Sequence, residues 1–594
     1  MTQPSSTKES FLARYLDRAV LVVVVMAGLV AMSLNVADPD LWGHIQYGRD
    51  ALQSGLPATT TYSYLAEGYP WINHEIVAEF TLALVNDTGG GTLLLVSKAL
   101  AALFVLLCVV RACRKQGAGL VVTAVLTLLV AVGLGNHWSL RPQLFSYVFF
   151  TLMLVIIDEA FQGWDFSYEL LLKKVTAYLR GTTPPSESFT LHYSGLRLRL
   201  LWLLPFLMIA WTNAHGGFLA GLCVLIAILC LRSVEAILVK GRAAQGLLLR
   251  FGLMIVASCT ATFLNPYGPG FHRWLYDDLK VPRPEIVEWR APDFSDPQMY
   301  PFLLLIAVFA ICLALSPARR DWAKQIVLAL VLWQAMSHLR HASFFTIAVG
   351  LWLPGLFQAA CARIGIGRDQ TSMAGSMNRF GRAAFACGVA IALLICSTQL
   401  ATRLTNLRVQ KHVFPVSAVQ YISEQGLTGR MVCTFNWAQY VLAAVGPAHG
   451  RSDGILVQVD GRCRTSYSQE MLDMHFDFIL GPAHPDQRFR DPASGPYDPA
   501  RSLKEGHPDL VLIHRSQEPS VDVMHAHRDQ WTLLYQDELA QLWGRKARYD
   551  LPTSPYYLAE NRRSITETKQ HGDHPWPAIF PYRKNSSTQL ASDE

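Results

Sequence analysis

Charge is what this sequence has little of. Asp, Glu, Lys and Arg make up 16% of its 594 residues, whereas a soluble globular chain carries about 25%, so an ordinary soluble enzyme is excluded. Phosphate-cradling and metal-clasp signatures are missing as well: there is no GxxxxGK[ST], no GxGxxG and no CxxC, which argues against nucleotide-driven transport by this chain. The eleven cysteines form no disulfide scaffold. Cys108, Cys223, Cys230, Cys259, Cys312, Cys387 and Cys396 fall in apolar runs, where a thiol behaves as a small apolar group. The net charge of +6 is not pooled into one basic patch, so nucleic acid is not an expected partner.

What is there is apolar residues in runs, 51% of the chain. A run of about 18 residues or more with few charges is long enough to cross about 30 Å of hydrocarbon. Eleven spans are expected, at 19–36, 92–110, 118–134, 143–159, 200–214, 216–232, 246–264, 300–315, 324–338, 342–359 and 383–401. The class is therefore an α-helical polytopic membrane protein. The first apolar run is longer than the core of a signal peptide and reads as an uncleaved helix. Orientation follows from the short connections, because Lys and Arg are retained on the cytoplasmic side. With the N-terminus inside, the inner segments hold twenty-two of them and the outer segments seven. The odd span count then exports everything after residue 402.

From Arg403 the pattern changes to short β-type runs at 430–435, 455–460, 509–514 and 531–536, with helical spacing over 468–480. This predicts a small extracytoplasmic α/β domain over 403–550, followed over 551–594 by a polar tail without a fixed fold. Cys433 and Cys463 fall in this exported part, where a bridge and two unpaired thiols both stand as readings.

The unusual polar residues of the membrane half gather on the outer side. They include Asp38, Asp40, Trp42 and His44, then Trp71, His74 and Glu75, then Arg141, His215, Arg290 and Arg340. Two acids one residue apart, with Glu75 and histidines nearby, can supply a general base or hard oxygen ligands for a divalent cation such as Mg or Mn, with Asp40 and Glu75 as the expected ligands. Arg141, Arg290 and Arg340 can neutralise a phosphate. Lys98 lies about six residues inside the second span, where its ammonium either snorkels to the interface or meets an anion. Trp42, Trp71 and Trp289 are available in sequence to stack on a sugar ring.

The run DPDLWGHIQYGRD, followed by GYPWINHEIVAE, RPQLFS, WTNAHGGFLAG, LNPYG and EWRAPDF, resembles a group of bacterial multi-spanning proteins placed with the GT-C glycosyltransferases, such as the protein mannosyltransferase and aminoarabinose transferase families. The resemblance resumes at FPVSAVQYI, WAQYVLAAVGP and VDGRCR. It implies a GT-C-like transmembrane domain over 1–402 with an outer loop at 37–91, in a bacterial inner membrane. It also implies that Asp38 or Asp40 is the acid near acceptor and metal, and that Glu75 stands for a second acid. Gly43 departs from the group, which commonly shows Trp there. The function expected is transfer of a sugar from a polyprenyl-phosphate donor to a glycan, lipid or protein acceptor on the outer face. The competing expectation is an envelope lipid or polysaccharide transporter or assembly factor. Transporters keep ionisable groups near the midplane with internal repeat symmetry, whereas here the acids sit at one rim and no repeat is apparent.

The charge asymmetry generates a direct test of topology. Alkaline phosphatase fused after Pro447 should be active and a fusion at Gly117 inactive; the reverse pattern overturns the orientation.

Overall fold

The computed structural model describes residues 5–366, 377–447, 454–482, 484 and 487–581. The chain divides into two compact units. One comprises Met1–Leu34, Val96–His272 and Val287–Leu404; the other comprises Asn35–Leu95, Arg273–Ile286 and Thr405–Glu594. The stretch 37–91, expected as an outer loop of the membrane part, thus clusters with the C-terminal residues, as does Arg273–Ile286.

Each of the eleven expected spans falls on a helix. These are Ser5–Met32, Ile76–Lys115, Leu120–Gly135, Gln143–Ala160, Leu204–Thr212, Phe218–Lys240, Gln245–Ala261, Tyr300–Leu315, Trp322–Ser337, the pair Ala342–Trp352 and Pro354–Arg363, and Arg379–Leu404. Among the described residues six stretches are long and apolar enough to cross a membrane, or seven if the pair bent by 67° at Leu353 is one span. The chain is a polytopic helical membrane protein. Helix Ile76–Lys115 starts sixteen residues before its expected span and is broken at Gly89 and Gly90. Gly90 has φ +58° and ψ −154°, a conformation that only glycine adopts readily.

In the first unit, helix Gln143–Ala160 measures about 27 Å at 1.5 Å per residue, close to the hydrocarbon thickness. Polar contacts gather at both of its ends. At its start, the Gln143 side-chain amide donates to Glu288 at 3.1 Å. At its finish, Asp158 meets Lys115 at 2.9 Å and Lys324 at 2.6 Å, while Glu159 meets Arg111 at 2.6 Å. Arg232, 2% exposed, is paired with Glu235 at 2.9 Å and with Asp321. Trp164 and Tyr168 also donate to Glu235. A buried guanidinium demands this degree of satisfaction, because removing one partner leaves an uncompensated charge.

The second unit contains eight strands: β1 (Arg408–Gln410), β2 (Gly429–Cys433), β3 (Ile455–Val457), β4 (Leu510–His514), β5 (Trp531–Gln536), β6 (Ala540–Arg545), β7 (Ser564–Ile565) and β8 (Asp573–Pro575). Six form one mixed sheet in the order β3-β2-β4-β6-β5-β7, and β1 pairs with β8. The pairs β2–β3 and β2–β4 are parallel, and β6 lies antiparallel to β4 and β5. The central strand reads LVLIH, with its first four residues buried; such a continuous apolar run suits a strand covered on both faces. Helices Val416–Gln425, Ala438–Val445 and Gln469–Ile479 accompany the sheet. Cys433 and Cys463 are both free thiols, so the unbridged reading holds.

The segment from Leu551, expected to be a polar tail, is instead built into this unit through Pro581, with β7, β8 and Trp576 in it. Residues 582–594 lie outside the described residues. The reason is packing: Trp576 stacks on Trp42 with ring centroids 4.7 Å apart, and the Trp42 indole N–H donates to the Pro577 carbonyl at 3.0 Å. Phe414 and Tyr440 complete the cage at 5.0 and 4.8 Å. Truncating a buried Trp costs about 3–5 kcal/mol. Trp42→Ala should therefore sharply lower the melting temperature and folded yield of the purified protein, whereas Trp42→Phe should recover most of both.

Candidate functional site

The acids of the second unit are positioned by two helices. Asp38 Oδ1 accepts the Asp40 backbone N–H at 3.0 Å, an Asx turn that reverses the chain and launches helix Leu41–Ser54. Leu41, Trp42, Ile45 and Tyr47 are buried on this helix, while His44 presents its ring to the start of helix Ile76–Lys115. A Cβ at Gly48 would lie 2.3 Å from the Glu79 carbonyl oxygen, so only glycine permits this approach. Gly48 is one turn beyond His44, and residues four apart share a helix face. The contact that excludes a Cβ at Gly48 thereby brings His44 to Glu79. At Gly43 a Cβ would lie 2.4 Å from Gln439 Oε1, the end of a side chain that can move aside, so the constraint there is weaker than at Gly48.

His44 Nδ1 lies 3.3 Å from Glu79 Oε1 and 3.9 Å from Glu75 Oε2. Asn73 orders both acids: its amide donates to Glu79 Oε2, and its Oδ1 accepts the Glu75 N–H at 3.1 Å. His74 Nε2 is 3.8 Å from Glu75 Oε1, and its ring leans on Trp274 at 5.5 Å. Burial alone would lower the His44 pKa, but the Glu79 hydrogen bond and the charges of Glu75, Glu79 and Asp40 outweigh it and lift it to about 9. Among the described residues, His44, Glu75 and Glu79 form a group that could hold a metal ion, with ligand atoms all within 4.8 Å of one another. One imidazole and two carboxylates suit a Mn- or Mg-like cation or zinc. Of the expected pair Asp40 and Glu75, this group contains Glu75 and not Asp40. Asp40 stands one turn before His44 and acts on it through charge, and Glu79 is a candidate ligand that the sequence does not single out.

The tryptophans expected to meet a sugar serve the core instead. Trp42 is 2% and Trp71 3% exposed. Trp71 packs edge-on against Tyr47 at 5.2 Å, and the Arg462 guanidinium sits over its ring at 4.7 Å. Arg462 is itself clamped by Asp460 through Nε at 2.9 Å and Nη2 at 2.7 Å. Neither indole is open to a ligand in this structure.

In the first unit the expected phosphate binders gather around the turn Val287–Trp289. Leu339 N–H donates to the Arg290 carbonyl at 2.8 Å, and the Arg340 guanidinium lies over the Trp289 ring at 4.4 Å. His338 meets the same ring edge-on at 5.8 Å. Arg141, Arg340 and Glu288 are all within electrostatic reach of the Tyr147 hydroxyl. The two loops carrying Arg290 and Arg340 are thus joined, with Glu288 and Gln143 as polar neighbours that the sequence reading did not single out. Two other expected contacts take local roles. His215 Nδ1 accepts the Gly217 N–H at 3.0 Å and lies 2.7 Å from Ser146 Oγ, which braces the turn between two helices. Lys98, 3% exposed, donates to the Leu34 carbonyl just past the first helix.

No family model matches the sequence, and no curated relative matches it. Solved structures do. The oligosaccharyltransferase AglB of Archaeoglobus fulgidus, in complex with an inhibitory peptide and a dolichol-phosphate, aligns at 10% identity over 85% of this chain and 70% of its own, with a TM-score of 0.51. ArnT of Cupriavidus metallidurans bound to undecaprenyl phosphate aligns at 12% identity over 92% and 99%, with a TM-score of 0.47. The first likeness shows the fold, which this chain shares with that oligosaccharyltransferase.

A proton and a cation compete for this triad, since a metal needs the neutral imidazole. The stability gained from the extra proton on His44 is complete below about pH 6.5 and is lost as the pH rises through about 9. Mn2+ affinity, followed by loss of the free-ion electron paramagnetic resonance signal, should run the other way and rise between pH 6.5 and 9. Glu79→Gln and Gly48→Ala should each weaken it about tenfold or more.

Proposed function

We propose that this protein is a membrane glycosyltransferase that moves a sugar from a polyprenyl-phosphate donor to an acceptor on the extracytoplasmic face of the bacterial inner membrane. The observation that carries the reading is the gathering of Asp38, Asp40, His44, Glu75 and Glu79 in one part of a chain with the GT-C fold. The dolichol-phosphate held by the archaeal oligosaccharyltransferase supports a lipid-linked phosphate as the donor class.

In this reading the acceptor hydroxyl attacks the anomeric carbon from the face opposite the phosphate and gives its proton to the Asp40 carboxylate. The bond between the anomeric carbon and the phosphate oxygen breaks, and polyprenyl phosphate departs with the electron pair. Arg290 and Arg340 match the charge that develops on that phosphate. Trp289 holds the Arg340 guanidinium by its face, which leaves the planar fork edge for an anion. A divalent cation on His44, Glu75 and Glu79 would supply Lewis-acid stabilisation of developing negative charge.

Asp40→Asn keeps size and removes the base. Turnover of a polyprenyl-phosphate-linked sugar by the purified protein should fall about 10²- to 10⁴-fold, with the folded amount unchanged. Arg340→Gln should lower turnover with a smaller change in donor affinity. Full activity in both Asp38→Asn and Asp40→Asn would overturn the assignment.

A further inference from the structure

The basic end of helix Ile76–Lys115 carries a feature that sugar transfer does not use. An open cavity of about 470 Å³ is lined by Leu107, Val110, Arg111, Arg114 and Lys115. Two apolar side chains one turn above three cations make a wall with an oily upper part and a positive rim. Rows of residues three and four apart share a helix face, so this stripe continues the lipid-facing surface of an apolar helix, whose Leu107 is half exposed.

The charges around the rim do not balance. Asp158 is bound by Lys115 at 2.9 Å and Lys324 at 2.6 Å. Glu159 is bound by Arg111 at 2.6 Å, Lys115 at 3.1 Å and Arg197 at 3.4 Å. Of the three cations that line the cavity, Arg111 and Lys115 are thus bound to carboxylates, and Arg114 is left over. Arg114 is exposed and has no partner among the described residues. Arg111 remains 58% exposed while it holds Glu159, so its remaining N–H groups face outward.

We infer that this cavity is a binding site for an anionic phospholipid, with the headgroup phosphate on Arg114 and Arg111 and an acyl chain along Leu107 and Val110. The charge of Arg114 beside the outward-facing Arg111 selects an anion, and the apolar wall selects an amphiphile over a soluble anion. In the charge-based orientation the site faces the inner leaflet, where basic pockets at helix ends take acidic headgroups. The inference rests on this unit alone and does not depend on the transferase reading.

Native mass spectrometry of the detergent-purified full chain titrated with phosphatidylglycerol or phosphatidylcholine tests it. The wild type should retain phosphatidylglycerol at a lower half-saturation than phosphatidylcholine. Arg114→Gln should raise the phosphatidylglycerol value about fivefold, the factor matching about 1 kcal/mol per basic residue at an anionic lipid surface, and leave the phosphatidylcholine value unchanged. Arg114→Lys should retain most of the preference. Arg114 is exposed and has no ion pair or hydrogen bond among the described residues, so its replacement breaks no polar contact there. Equal retention of the two lipids, or an unchanged phosphatidylglycerol value in Arg114→Gln, overturns the site. Displacement of phosphatidylglycerol by equal concentrations of glycerol phosphate would make it a soluble-anion site and overturn the lipid assignment.

Discussion

The missing side chain at Gly48 is the constraint on which the acid cluster depends. Because a Cβ there would meet a backbone oxygen, helix Leu41–Ser54 lies against the first turn of helix Ile76–Lys115 at a separation no other residue allows. Two carboxylates and an imidazole are then forced together, and their mutual charge is what keeps the His44 proton in place. A cluster of this kind is unfavourable in isolation. It persists because the Asn73 amide donates to the Glu79 carboxylate while its Oδ1 accepts the Glu75 backbone N–H, and because Leu41, Trp42, Ile45 and Tyr47 bury the helix that carries His44.

Within the membrane unit the analogous constraint is electrostatic. Helix Gln143–Ala160 carries polar partners at both ends and almost none between, as hydrocarbon requires of any backbone that crosses it. Where charge does enter the helical packing, as at Arg232, it arrives with two carboxylates. The outlying excess of basic groups near Arg114 differs in kind, since nothing in this unit neutralises it.

The helices were legible because hydropathy reports on a single strong energy, the cost of leaving polar groups in lipid; all eleven expected runs are helical. Strands β2, β3, β4 and β5 were legible from their β-branched and aromatic runs. Strand β6 was not, since it follows β5 after only three residues and reads as the continuation of one segment. At the site, His44, Glu75 and Asp40 stood out as polar residues beside apolar runs. Glu79 did not, because it is embedded in the stretch IVAEFTLALV and belongs to a helix that begins earlier than hydropathy implied. Trp42 and Trp71, which the sequence offers as ligand platforms, are buried. Their burial is created by Trp576, Tyr440 and Arg462, hundreds of positions away, and local sequence carries no trace of that.

The lock between Trp42 and Pro577 spans 535 positions. A ribosome adding about 5–20 residues per second needs about half a minute to two minutes to deliver the second partner after the first. Throughout that interval the indole of Trp42 has neither its acceptor nor the covering ring of Trp576, while the helices between them are already being inserted. The cage therefore closes late in biogenesis, and a nascent chain stalled before residue 576 holds Asp38, Asp40 and His44 beside an uncapped, apolar surface that a chaperone can read as unfinished.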